Sequence, residues 1–299
     1  MAIFNDFTFF GPQHGQDPWN GWKQSCNGHR LVLGTDGPNH WVQFDPLWAG
    51  IMSKQLRELT PATSYSVSMR VKRLGNSSKI PRLSLELDGT QLEGEFDVTD
   101  SEWQTFHWQF QATASAHALG LIGRRDAESG CLNLDCCFDD IHICPMLITE
   151  DFEHTPIQHI QAGQSLPLPT MLITLLEGSQ GVAGIENYAQ YPQPGLLEGN
   201  GIVLQRKEAN PSTPQRLEVR FVVPCAMLKF AWTYRHHAGE VEFYDEQSNL
   251  LATQSFSGEP RHHWVEFQAP SDRKIAAIVV VARDYCFLDF FSLSQSRPT

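Results

Sequence analysis

The 299-residue chain lacks any apolar run near the ~18 residues that a membrane-crossing helix needs, so membrane insertion is not expected. Its start, Met1-Ala2-Ile3-Phe4-Asn5-Asp6, lacks the charged, apolar and small-residue segments of a secretory leader. A soluble protein is expected, cytoplasmic unless exported by a non-classical route. No basic stripe is present either. The formal net charge is -12 and the arginines are scattered, which excludes nucleic acid as a partner, because a phosphate backbone needs clustered cations. Zinc-type Cys-x-x-Cys spacing is missing: four of the seven cysteines fall at Cys131, Cys136, Cys137 and Cys144. Neighbours on a strand point to opposite faces, so Cys136 and Cys137 read as reduced, core-filling thiols. There is no Gly-x-Ser-x-Gly elbow, His-Glu-x-x-His helix, phosphate loop or dinucleotide fingerprint, and catalysis is not expected.

Long capped helices are missing as well. What the chain has instead is short alternating runs punctuated by turns. Ser64-Tyr65-Ser66-Val67-Ser68-Met69-Arg70-Val71 alternates with period two, as a half-buried strand does. Arg82 to Leu87 alternates too and ends at Asp88-Gly89, a hairpin turn signal. In the second half, Leu217 to Val223, Ala226 to Thr233, Val241 to Asp245 and Ile275 to Val281 read as strands. Gln158 to Gly201, rich in Gly, Pro and Gln, reads as one long irregular stretch. The pattern predicts an all-β protein of antiparallel sandwiches.

The chain also repeats itself. Phe138-Asp139-Asp140-Ile141 closes the first half and Leu288-Asp289-Phe290-Phe291 closes the second, each an aspartate inside an apolar run. Phe110-Gln111-Ala112 and Phe267-Gln268-Ala269 lead into them, followed by apolar strands that end in Arg125-Asp126 and Arg283-Asp284. One repeat over half the chain implies two related domains rather than a solenoid, with expected bounds of 1–146 and 147–299.

In the first half, Gln55-Leu56, Leu59-Thr60-Pro61-Ala62-Thr63-Ser64-Tyr65, the Leu83-x-Leu85-x-Leu87-Asp88-Gly89 hairpin and the closing Phe138-Asp139-Asp140-Ile141 occur in that order. This resembles the carbohydrate-binding modules of the galactose-binding-like jelly-roll superfamily, and the second half resembles it as well. The resemblance implies two tandem jelly-roll sandwiches. It also implies a structural calcium held by carboxylates of the first and last strands. That nominates Glu153 with Asp289 in the second half, and Asp139 or Asp140, with help from Asp6, in the first. Phe152-Glu153 carries the family's Phe-Glu pair, whereas Phe7 is followed by Thr8. The alternative is that these aspartates accept backbone hydrogen bonds and hold loops.

Eight tryptophans are a generous supply, and Trp19, Trp22, Trp41 and Trp48 lie in turn-rich segments. Sugar rings stack their C–H faces on aromatic planes while their hydroxyls bond polar side chains. Trp41, Trp48 and Trp19 are therefore the candidate stacking residues, with Asn39, Gln43 and Arg70 as polar partners. Tyr188 and Tyr191 are their counterparts in the second half. Trp22, Trp103 and Trp108 read as core or rim packing, and the pairs His236-His237 and His262-His263 as surface residues. The expected function is non-catalytic, lectin-like binding of a glycan or polysaccharide. A structural or protein-interaction role is the rival, and a polysaccharide-active enzyme with a site at the domain junction is a weaker one.

Overall fold

The structure, a computed structural model, describes residues 3–8, 10, 19–24, 32–36, 39–43, 50–74, 80–123, 136–176, 181–190, 192–204, 214–283 and 285–295. Trp48 and Tyr191 lie outside the described residues. Among the described residues there is no helix, and none that could cross a membrane. The chain divides into two compact units, one spanning Phe4–Pro145 and the other containing Met146–Thr299.

The first unit holds β1 (Asp6–Thr8), β2 (Trp22–Gln24), β3 (Val32–Asp36), β4 (Asn39–Gln43), β5 (Gly50–Arg57) and β6 (Ser64–Arg73). It continues with β7 (Arg82–Leu87), β8 (Thr90–Asp97), β9 (Gln104–Gln111), β10 (Ala116–Gly123) and β11 (Cys136–Pro145). One sheet runs β3-β4-β11-β6-β9, with β1 also paired to β11, and the other runs β2-β5-β10-β7-β8. All pairings are antiparallel. The period-two pattern explains the sandwich: Tyr65, Val67, Met69 and Val71 of β6 turn inward onto Trp108, Phe138, Met52 and Leu56. Trp22 is part of this core, and Trp19 packs against it with its ring 6.3 Å from Phe10.

The second unit begins with β12 (Leu147–Glu150), β13 (Gln158–Gln161), β14 (Ser165–Pro167), β15 (Met171–Leu175), β16 (Val182–Asn187) and β17 (Asn200–Leu204). Then come β18 (Gln215–Cys225), β19 (Met227–Thr233), β20 (Gly239–Tyr244), β21 (Leu250–Phe256), β22 (His263–Gln268), β23 (Ile275–Ala282) and β24 (Cys286–Ser294). Its sheets run β13-β16-β17-β24-β19-β22, with β12 on β24, and β14-β15-β18-β23-β20-β21. The stretch expected to be irregular, Gln158 to Gly201, thus carries five short strands. Their brevity and the intervening glycines hide the alternation from a sequence window. Phe230 stacks on Phe291 at 4.9 Å across neighbouring strands of one sheet, and Phe243 stacks on Phe267 at 4.2 Å between the two sheets. A Cβ at Gly239 would sit 2.7 Å from both the Trp232 ring and the Val281 carbonyl, so this strand start takes no side chain.

The two closing strands break register at the same place. On β11 the pairing with β6 shifts between Asp139 and His142, and on β24 the pairing with β19 shifts beside Asp289. The residue after each aspartate, Asp140 or Phe290, has φ of +50°. Thr8 pairs with Ile141 and Glu150 with Phe291, each two residues beyond the aspartate. The structural counterpart of Thr8 is therefore Glu150. Glu153, expected on the first strand of the second half, lies in the turn beyond it, because β12 ends at Glu150.

His263 is not on the surface as expected: it is half-buried, its ring 4.7 Å from Phe256 and 6.0 Å from Trp232. Burial, then the Arg235 charge, push its imidazole down to about 4 from 6.5. Between those values the unfolded chain binds a proton that the folded one refuses. This stability is therefore present above pH 6.5 and lost as pH falls through 4. His263→Phe should fill the same aromatic space and flatten that acid limb, read by calorimetric melting of the second unit from pH 7 to 4.

Candidate functional site

The same alternation that buries one face of β6 pushes Ser66, Ser68, Arg70 and Lys72 onto the opposite, outer face. On β9, Trp108 and Phe110 point inward, leaving Thr105, His107 and Gln109 outside. Asp139 pairs with Arg70 and Cys137 with Lys72, and Ser68 lies between His142 and His107, so these side chains share the outer face. At the far side, Val42 of β4 is in the core and Trp41 is outside, paired with Gly34 of β3. The indole lies directly over Gly34, where a Cβ would collide with its ring carbons. The backbone of Gln43 pairs with Cys137 in the same sheet, and Asn39 pairs with Asp36 at the end of the β3-β4 hairpin.

Charge is organised across this face. Arg70 Nη1 meets Asp140 Oδ2 at 2.7 Å. The Arg70 guanidinium and the Lys72 ammonium also lie 5.0 and 4.9 Å from the centre of the Trp103 ring. Each such contact on a part-exposed surface is worth about 1 kcal/mol or less, yet two cations on one indole hold its plane in place. Trp103 has the same strand parity as Thr105, which is the signal that its reading as core or rim packing passed over. Asp139 is buried and its Oδ1 has no hydrogen-bond partner. Burial, then the Asp140 charge, push its carboxyl up to about 6, against donation from the Phe10 N–H. Trp41 on β4 and Trp103, just before β9, are separated across the sheet by three strand spacings, roughly 14 Å. Two half-buried indoles thus flank a row of donors and acceptors. Phe7, its ring tilted against His142 with centres 5.1 Å apart, extends the row along β1.

Asp6 does not join the aspartates of β11. Its Oδ1 is 2.7 Å from Lys54 Nζ, which also donates to Thr8 Oγ1 at 3.3 Å, while Trp22 Nε1 donates to the same hydroxyl. Thr8 and Asp6 thus already face an ammonium supplied by the chain.

In the second unit, Tyr188 joins Tyr234 and Tyr285 around Phe287, Val203 and Leu197, a cluster separate from the main core. The Tyr188 ring is 5.0 Å from Tyr234 and 4.5 Å from Phe287. Gln193 Nε2 donates to Tyr234 Oη at 2.9 Å. The loop from Gln193 then runs to the carboxylates nominated for a metal. The Glu198 N–H donates to Asp289 Oδ2 at 3.3 Å and the Asn200 N–H to Glu153 Oε1 at 2.9 Å. Asp289 is 1% exposed, and burial pushes its carboxyl up to about 8 despite the Phe290 and Glu198 N–H donors; Glu153 and Asp151 add to the rise. Among the described residues no three His, Cys, Asp or Glu side chains converge as a metal-holding group.

No family model and no curated protein matches the chain. Among solved structures, the chain is similar to a tandem pair of family 22 carbohydrate-binding modules from a Paenibacillus barcinonensis xylanase. That match has 13% identity and a TM-score of 0.36 over 98% of this chain and 99% of the other. The sugar-binding C-terminal domain of EclA is 24% identical over 46% of this chain and 97% of its own, with a TM-score of 0.32. A xylan-binding module of the same xylanase is 19% identical over 42% and 86%, with a TM-score of 0.34. Several of the solved structures it is similar to are carbohydrate-binding modules, one of them a tandem pair, and another is a Paenibacillus xanthan lyase.

Gly34→Ala tests the seat of Trp41. The added methyl should displace the indole, shift the tryptophan fluorescence spectrum and destabilise the first unit by about 1–3 kcal/mol in urea melts.

Proposed function

We propose that the protein is a non-catalytic, lectin-like glycan-binding protein, and that the outer face of β4, β11, β6 and β9 carries the binding. The supporting observation is the pairing of two half-buried indoles, Trp41 and Trp103, across a row that includes Arg70, Asp140 and Lys72. An indole plane takes the C–H face of a sugar ring, and the fixed donors and acceptors between the planes take its hydroxyls. The two carboxylates of the face, Asp139 and Asp140, are neighbours on one strand, and a glycosidase needs its pair on either side of a cleft. The tyrosine cluster of the second unit supplies aromatic planes of the same kind.

Calcium is proposed for the second unit only. Glu153 and Asp289 would hold it, and its charge would offset the cost of ionising a carboxyl that burial now raises to about 8. In the first unit Lys54 pairs with Asp6 and Arg70 with Asp140, while the buried Asp139 keeps Oδ1 without a partner.

A glycan array on the intact protein, with calcium and again with chelator, is the first test. Trp41→Ala and Trp103→Ala should each weaken binding to a captured glycan about tenfold, equivalent to ~1.4 kcal/mol. A blank array in both conditions would sink the glycan reading. Separately, calcium should raise the melting temperature of the wild type and leave that of Asp289→Asn unmoved; equal shifts in both would remove the metal from the second unit.

A further inference from the structure

The second sandwich buries a guanidinium that has no acidic partner among the described residues. Arg235 follows β19 and is 3% exposed. Its Nη2 donates to the Pro260 carbonyl at 2.8 Å, but Nε and Nη1 have no partner and no solvent. The faces of Trp232 and Phe256 lie 5.1 Å from its central carbon. His263, which burial and the Arg235 charge keep neutral, lines the same space. Trp232 Nε1 is a further buried donor without a partner. Gln215, 0% exposed and unpartnered at both side-chain atoms, faces the core from the end of β18, beside Ala282. Among the described residues a carboxylate whose charge acts on Arg235 is Glu259, but that side chain is exposed and paired with Arg261 at 3.0 Å.

A guanidinium does not deprotonate in a protein, so burial without a counter-charge is costly and cannot be escaped by neutralisation. The Trp232 and Phe256 faces, which are electron-rich, hold the guanidinium itself, while the N–H groups left without partners at Arg235 and Trp232 are donors that suit an anion. We propose that this end of the second sandwich binds a small monovalent anion, a carboxylate of formate size or a halide. Arg235 Nε–H and Nη1–H would hold it, with Trp232 Nε1–H as a third donor. The site belongs to the second unit and the proposed glycan face to the first, so it does not depend on the glycan reading. The bound anion would tie the segment after β19 to the segment before β22, which Arg235 already joins through its backbone N–H to the Arg261 carbonyl and its side chain to Pro260.

The test is thermal unfolding of the intact protein in a sodium formate series, with ionic strength held constant by a bulky sulfonate salt. Wild type should show a saturable upward shift of roughly 2–4 °C for the second unit. Glu259→Gln should keep the shift and Arg235→Met should lose it. Crystals of the wild type soaked in bromide give a direct readout should Arg235→Met fail to fold. An anomalous peak within hydrogen-bond distance of Arg235 supports the proposal. No saturable shift in the wild type overturns it, as does a crystal in which the Glu259 carboxylate itself occupies the guanidinium.

Discussion

Each sandwich is built around a closing strand that has neighbours on both sides and that must bulge behind a buried aspartate. β11 pairs with β1 and β4 on one side and with β6 on the other; β24 pairs with β12, β17 and β19. A shift of one residue in a strand turns every side chain to the opposite face, so the register of these central strands decides what each sheet shows to solvent. The bulge sets that register. It places a residue at φ of +50° directly after the aspartate, which an L-residue tolerates at a cost of about 1–2 kcal/mol, and for Phe290 there is no short polar side chain to soften it. The aspartate carboxylate accepts the N–H of Phe290 at 2.6 Å in the second unit, so the side chain helps to satisfy the backbone that it distorts.

The two units compensate that shared device differently. In the first, Thr8 occupies the position that Glu150 has in the second. A small hydroxyl leaves room for Lys54 and Trp22 to converge on it, whereas Glu150 accepts from Thr170 Oγ1 at 2.9 Å and from the Phe152 N–H. A built-in ammonium therefore balances the acidic edge of one unit. In the other, Glu153 and Asp151 act on Asp289 with no cationic side chain paired to it among the described residues, and the Asp289 carboxyl is pushed up to about 8. The difference is one of charge balance on a common frame. It also divides the expected metal carboxylates, since Asp140 is engaged by Arg70 while Asp289 is paired with no cation among the described residues.

Much of the frame was legible in the residues. Period-two alternation in β6 and in Leu217 to Val223 of β18 identifies half-buried strands, and the Asp88-Gly89 turn marks the β7-β8 hairpin, because each signal is local. The candidate face was legible in part. Trp41 and Arg70 were singled out singly, but their meeting on one sheet depends on β4 and β6 both lying beside β11 or one strand away, a pairing over long separations. Trp103 was passed over because an aromatic next to a strand reads equally well as core. The tyrosine cluster was half legible: Tyr188 could be named, but Tyr234 and Tyr285 come from strand ends about 50 and 100 residues further along the chain.

The sequence by itself determined the all-β class, the internal duplication and the supply of aromatic side chains, since these follow from local periodicity, from repeated motifs and from composition. Only the tertiary structure decided which side chains share a face and which are left without partners. Those outcomes depend on strand register and on burial summed from several elements. Lys54 beside Asp6, the indole of Trp41 over Gly34 and the buried guanidinium of Arg235 each join segments whose separation no local window spans.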